Sequence, residues 1–205
     1  MQFKESIGVY DTAFTADECD RLIKRHEYAI NHNLAHEGGY GSLAQHKKSM
    51  DYDILGGSSM FKEDKELTGL IADRLNHFTS EYINDWNGYG EFNGQYLIEG
   101  QTYYPILQMQ KYKANEGHFN TFHVENDRPE TSTRLFVFIL YLNDVEEGGE
   151  TAFCFKEYGG SDFFKVKPKK GRLVIHPASW PYIHKGCMPV SNDKYILTTW
   201  ACYGK

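Results

Sequence analysis

The sequence predicts a mainly β fold with helical support, and three observations carry that expectation. Aromatic content is 15%, with 15 tyrosines and 13 phenylalanines, beside 19 glycines. Aromatic side chains suit pleated surfaces and glycines suit turns. Helical periodicity is confined to the N-terminal part, and after residue 90 the period shortens to that of strands. At 205 residues the chain is long enough to fill one core, and no composition break divides it. The expectation is one domain over 1–205, with helical support over 1–90 and a strand-rich core over 91–205.

The elements follow in order. Thr15 reads as a helix N-cap, and Glu18 three residues on completes a capping box. Cys19, Leu22, Ile23, His26 and Ile30 then share one helical face, where His26 reads as a packed, hydrogen-bonded histidine. From 31 to 60 the pattern dissolves into a Gly- and His-rich stretch. It reads as a long surface loop, with a strand around Lys48 to Leu55. A second helix is expected from Asp64 to Trp86, burying Leu67, Leu70, Ile71, Leu75, Phe78, Tyr82 and Trp86, and ending at Asn87-Gly88.

Short strand-like runs come next: TYYPILQMQKY, GHFNTFHVEN, STRLFVFILYLND, GGETAFCF, DFFKVKP, GRLVIHP, YIHKG and KYILTTWACY. Glu147-Gly148-Gly149 and Lys169-Lys170-Gly171 mark turns between them. The apolar run LFVFILYL belongs at the centre of a sheet, because both its faces must be buried. Such spacing predicts a sandwich or jelly roll, with the two helices covering one sheet.

Charge and cysteine usage exclude several classes. A formal net charge of -6 and a pI near 5.8 argue against a nucleic-acid-binding surface. The local basic cluster Lys165, Lys167, Lys169, Lys170 and Arg172 reads as a solvated loop and strand edge. The four cysteines, Cys19, Cys154, Cys187 and Cys202, are scattered without a CxxC pair. They suit a reduced setting better than a disulfide scaffold or a thiolate zinc site. The N-terminal residues lack the apolar core of a signal peptide, and no run has the length of a membrane span. The expectation is a soluble, cytoplasmic protein without nucleic-acid or membrane partners.

Chemistry concentrates at His123-Val124-Glu125 and at His184. Two imidazoles and one carboxylate occupy one face of an iron(II) ion and leave the opposite positions open for substrate and dioxygen. On a strand, residues two apart look to the same side, so His123 and Glu125 are expected to face one cavity. Spacing alone does not separate that reading from a surface His and Glu. Lys194 heads the apolar strand Tyr195 to Trp200. Buried, its ammonium needs an anionic partner, which a dicarboxylate cosubstrate supplies. The bland alternative is a lysine reaching past the strand end to solvent.

Taken together, these segments resemble the catalytic core of the iron(II)/2-oxoglutarate-dependent dioxygenases, in particular the prolyl 4-hydroxylase-like branch. The resemblance runs through H-V-E at 123–125, Arg134 leading into YLNDVEEGGETAF at 141–153, and the P-K-K-G turn at 168–171. It continues through H-K-G-x-x-P-V at 184–190 and K-Y-I-L-T-T-W at 194–200. It covers about residues 100–203 and extends weakly to the N-terminal helix and to Lys48-Ser49.

The resemblance implies a double-stranded β-helix with His123, Glu125 and His184 as both iron ligands and catalytic residues. It implies Lys194 as the 2-oxoglutarate anchor, with Tyr112, Thr151, Tyr141 and Trp200 around the cosubstrate and Arg134 near the substrate opening. The implied cofactors are Fe(II), 2-oxoglutarate and O2, with ascorbate as reductant. The implied partner is a peptide or protein substrate containing proline. The chain departs from the prolyl hydroxylase pattern in carrying Glu125 for aspartate, extra residues between Tyr112 and His123, and His176 where an aromatic is common.

Two stretches are candidate lids over a substrate: 31–60, with Tyr40, Lys47 and Tyr52, and Asn126 to Ser132. The competing readings are an oxygenase acting on a different substrate and a jelly-roll module that binds metal without turnover.

Overall fold

The computed structural model describes residues 2–4, 6–39, 45–86, 93–98, 102–154 and 164–204. Tyr40, the Asn87-Gly88 helix end, and the parts of the predicted strand runs at 155 and 162–163 lie outside these.

Two N-terminal strands, β1 (Gln2–Lys4) and β2 (Ile7–Tyr10), precede helix α1 (Ala16–Asn31). The predicted capping box is formed: the Thr15 hydroxyl accepts from the Glu18 amide at 3.2 Å, and the Glu18 carboxylate accepts from the Thr15 amide at 2.7 Å. Strands β3 (His36–Gly38) and β4 (Lys47–Asp53) follow, then the short helix α2 (Ile54–Gly57) and the long helix α3 (Lys62–Trp86). Among the described residues of the 31–60 stretch, β4 stands where a strand around Lys48 to Leu55 is expected, and β3 and α2 stand where the sequence predicts loop. Two of its elements are only three or four residues long, too short to display a period.

The strand-rich part supplies β5 (Thr102–Tyr103), β6 (Gln108–Tyr112), β7 (His118–His123), β8 (Arg134–Tyr141) and β9 (Thr151–Phe153). It continues with β10 (Phe164–Val166), β11 (Leu173–Pro177), β12 (His184–Gly186) and β13 (Lys194–Tyr203). Each predicted run contains a strand.

These strands form one curled antiparallel sheet in the order β1-β2-β11-β8-β13-β6-β4-β7-β12-β9-β10. The curl is a half-barrel, a double-stranded β-helix with the N-terminal helices packed on it. β4 makes the corner: Lys47 and Lys48 pair with β7, while Met50 to Asp53 pair with β6.

Alternation along the central strands separates two cores. Phe136, Phe138 and Leu140 of β8 face the helices, together with Leu173 and Ile175 of β11 and Leu197 of β13. Leu67, Ile71 and Leu75 of α3 meet them, each fully buried and contributing about 1.5–3 kcal/mol by leaving water. Val137, Ile139 and Tyr141 point the other way, into the curl, with Val174 and Ile196. Both faces of β8 are covered, as its unbroken apolar run requires.

Polar clamps fix the helices. The Arg25 guanidinium pairs with the buried Asp64 carboxylate at 2.5 Å and donates to Tyr52 at 2.8 Å, joining α1, α3 and β4. His26 is buried as expected, but its ring nitrogens have no hydrogen-bond partner among the described residues. Burial lowers its pKa to about 4, so it packs as a neutral ring, edge-on to Tyr195. The basic cluster behaves as solvated pairing: Lys169 and Arg172 hold Asp11, Lys170 holds Asp20 and Lys167 holds Glu146. Among the described residues, no helix is long and apolar enough to cross a membrane.

Candidate metal centre and adjoining cavity

His123 ends β7 and His184 begins β12, and the two are direct cross-strand partners. Opposed residues on one face bring their side chains together, and the two imidazole centroids lie 4.5 Å apart. Phe119, on the same face of β7, stacks on His123 at 4.1 Å.

Glu125 is not on the strand. It lies in the bend beyond β7, so the period-two argument does not account for its placement. Its backbone does: the Glu125 amide donates to the Ala178 carbonyl at 2.9 Å, and its carbonyl accepts from Arg134 at 2.9 Å. Its carboxylate Oε1 then stands 3.4 Å from His123 Nε2 and 3.5 Å from His184 Nε2. Its Oε2 accepts from Arg134 at 3.1 Å.

The other nitrogen of each ring faces a carbonyl. His123 Nδ1 is 2.9 Å from Thr121 O, and His184 Nδ1 is 3.0 Å from Tyr182 O. A neutral ring in that setting keeps its proton on Nδ1 and presents the Nε2 lone pair. Three acceptor atoms then converge, all within 4.8 Å of one another. Such a set is complementary to a divalent cation held by two imidazoles and one carboxylate, and carbonyl-anchored rings are the usual second layer of such sites. The residues present fit a metal ion.

Burial works against charge on Glu125, but the two histidines beside it prevail and hold its carboxyl well below the usual range. Burial likewise disfavours imidazolium at His123, and the neighbouring Glu125 carboxylate overrides it and raises the pKa. A proton on the imidazole and a metal ion are alternative ways to satisfy the same carboxylate.

These side chains open on a cavity of about 260 Å³. Lys194 lies on its wall, only 2% exposed, with Nζ donating to the Gly149 carbonyl at 3.1 Å and to the Cys187 carbonyl at 3.5 Å. The Tyr112 ring, its cross-strand partner, sits 4.6 Å from Nζ. Gly148 and Gly149 adopt φ of +75° and +77°, a conformation natural to glycine, which turns the Gly149 carbonyl toward the lysine. No carboxylate pairs with Lys194 among the described residues. Burial lowers its pKa to about 8.

The remaining expected residues divide. Tyr112, Thr151 and Trp200 line the same cavity. Tyr141 is not one of its lining residues; its hydroxyl is 2.6 Å from Thr151 Oγ1 and donates to Val166 O at 3.3 Å. Arg134 lines a second cavity of about 280 Å³, which shares Phe119, His123 and Glu125 with the first and reaches Asp127 to Thr131. His176 is fully buried, 4.7 Å from the His184 ring, with Nδ1 on the Pro177 carbonyl and Nε2 without a partner among the described residues. Of the lid candidates, Lys47 lines the main cavity from β4, whereas Tyr52 is buried on the helix side and hydrogen-bonded to Asp64. Tyr52 is therefore no lid residue.

Sequence reasoning missed a polar wall. Buried Asp51 accepts from Lys47 at 2.6 Å, from Ser49 at 2.7 Å and from Gln108 at 2.9 Å. Gln110 donates to Gln108 at 3.0 Å and to Thr198 at 3.2 Å, and it accepts from the Tyr112 hydroxyl at 2.6 Å. The signal was there in the alternation Gln108, Gln110, Tyr112, three polar-tipped residues on one strand face.

Residues 107–202 match the model of the 2OG-Fe(II) oxygenase superfamily. Probable prolyl 4-hydroxylase 9 of Arabidopsis thaliana is 32% identical over 111 residues, which is 46% of this chain and 38% of that protein. Prolyl 4-hydroxylase 13 of the same plant is 31% identical over 111 residues, 46% of this chain and 40% of its own length. The chain thus aligns with about two fifths of these curated relatives. Among solved structures, the 2OG complex of viral collagen prolyl hydroxylase from Paramecium Bursaria Chlorella virus-1 has a TM-score of 0.66 at 20% identity, covering 98% of this chain and 97% of that one. A Trichoplax adhaerens prolyl hydroxylase in complex with a hypoxia inducible factor oxygen degradation domain peptide fragment has a TM-score of 0.69 at 14% identity, covering 98% and 84%. At such identities these structures speak to the fold alone.

Proposed function

We propose that this chain, which belongs to the 2OG-Fe(II) oxygenase superfamily in its prolyl 4-hydroxylase-like branch, is an iron(II)- and 2-oxoglutarate-dependent dioxygenase hydroxylating a prolyl residue in a peptide or protein. The observation that carries this reading is the convergence of His123, Glu125 and His184 on one cavity that also contains the buried ammonium of Lys194. A module that only binds metal has no use for both.

In this reading the two Nε2 atoms and one Glu125 oxygen hold the iron, with His123 and His184 fixed in orientation by the Thr121 and Tyr182 carbonyls. The chemistry supplied by iron(II) there is activation of dioxygen, coupled to oxidative decarboxylation of 2-oxoglutarate to succinate and carbon dioxide; ascorbate maintains the ferrous state. Lys194 binds the distal carboxylate of 2-oxoglutarate, and Thr151 and Tyr112 line the cavity around it. Thr151 is held in turn by Tyr141. Ile139, Val137 and Ile196 line the cavity between the polar groups and exclude water. The second cavity, reaching from Glu125 past Arg134 to Thr131, gives an extended peptide access to the metal side.

Incubation with iron(II), 2-oxoglutarate and ascorbate, with and without proline-containing peptides, tests the proposal by mass spectrometry. Succinate together with a peptide heavier by one oxygen atom is the expected result. Succinate without peptide modification would redirect the search to another substrate. Neither product, from protein shown to bind iron, would leave a metal-binding jelly roll without turnover.

A further inference from the structure

We infer that Arg134 is a positioning residue that makes Glu125 a one-oxygen metal ligand, with Trp200 as its seat. The inference rests on the metal reading above and adds a role that a substrate-side arginine does not require. Glutamate has one more rotatable bond than aspartate, so its carboxylate swings through more positions and offers both oxygens to a metal more readily. Something must remove that freedom if Glu125 is to act as the shorter acid does.

The geometry supplies the restraint. Arg134 Nη1 donates to the Glu125 backbone carbonyl at 2.9 Å and to its Oε2 at 3.1 Å, gripping both ends of the same residue. The arm between is closed into a ring. Oε2 is thereby held on the guanidinium, while Oε1 faces both Nε2 atoms at 3.4 and 3.5 Å. The guanidinium cannot drift, because its carbon lies 3.7 Å from the centre of the Trp200 ring. Stacking of this kind suits the planar, delocalised guanidinium. Trp200 and Ile196 belong to the inward row of β13 and line the metal cavity, so the clamp stands on the strand that also carries Lys194. Arg134 and Glu125 are both largely buried, which strengthens the pair relative to a surface one.

The test is cobalt(II) binding to metal-stripped protein, followed by visible d–d absorption, which needs no turnover. Arg134→Leu is expected to weaken cobalt binding about 10–100-fold, the range for losing an outer-shell partner, and to change the spectrum as the carboxylate's denticity changes. Arg134→Lys, which keeps the charge but loses the planar fork and its seat, is expected to fall between Leu and wild type. In a Glu125→Asp background the shorter arm no longer needs the clamp, so adding Arg134→Leu should cost much less than it does alone. If Arg134→Leu does not fold, by circular dichroism, Arg134→Lys in the two backgrounds carries the same comparison. An unchanged cobalt affinity and spectrum in the Arg134 variants, or equal losses in both backgrounds, would overturn the inference alone. Wild-type protein that takes up no cobalt would overturn the metal reading and this inference with it.

Discussion

The two ends of the main cavity are opposite in kind. At one end three acceptor atoms stand within 4.8 Å of one another, restrained by carbonyls behind the histidines and by Arg134 behind the glutamate. At the other, a single ammonium is buried among carbonyl oxygens and an aromatic ring. The first end is built of several weak restraints on three side chains; the second concentrates its charge in one side chain. An electron-rich end and an electron-poor end in one cavity suit a metal ion and a dicarboxylate reaching from it. The comparison also says where each is fragile: the metal end through geometry, the lysine end through desolvation.

Four changes break or sharpen that contrast. The largest effect is expected from His184→Ala, which removes a donor atom. Metal affinity should fall by more than the about 10–100-fold typical of an outer-shell loss, and succinate formation should vanish in a mass-spectrometric assay. Wild-type turnover in that variant would defeat the assignment of the metal end.

Lys194→Met comes next. Removing one partner of a buried charge pair costs about 3–5 kcal/mol, so 2-oxoglutarate binding, followed by titration without oxygen, should weaken by about two to four powers of ten. The same variant should melt higher than wild type without ligand, since it deletes an ammonium that carbonyls alone must solvate. Cobalt binding should be little changed.

The pH dependence follows from the same burial. Lys194 is lowered from 10.5 to about 8 in the folded protein. Between those values the unfolded chain holds a proton that the native state has lost. Stability of the ligand-free protein therefore gains a contribution that rises with pH from about 8 to about 10.5, and Lys194→Met lacks it. A bound carboxylate favours the charged amine, so 2-oxoglutarate affinity should drop above pH 8 by up to about tenfold per unit. A flat profile in wild type would place the cosubstrate carboxylate elsewhere.

The smallest effect is expected from Tyr112→Phe. It removes one hydrogen bond to Gln110, of about 0.5–1.5 kcal/mol, and leaves the ring beside Lys194. Binding of 2-oxoglutarate should change by less than about tenfold.

What was legible beforehand depended on length and on polarity. The α1 capping box, the α3 apolar stripe and the two-faced β8 are long or chemically explicit, and their positions followed from pattern. The short β3 and α2 did not, because three or four residues carry no period. β4 was only partly legible for a different reason: its inward row Lys47, Ser49, Asp51 is polar and hydrogen-bonded within itself, so the usual inside-apolar pattern is inverted there. His123, Glu125, His184 and Lys194 were found as residues. How Glu125 reaches its neighbours was not, since it lies past the strand and depends on Ala178 and Arg134 from distant segments.

β4 acts as the ruler between the two ends. Its first residues are stitched to the strand of His123 and its last to the strand of Tyr112, within a span of seven residues. One residue inserted or removed inside that span would reverse which side chains look inward, exchanging Asp51 for a helix-facing neighbour and throwing the separation of the two charged sites out of gauge.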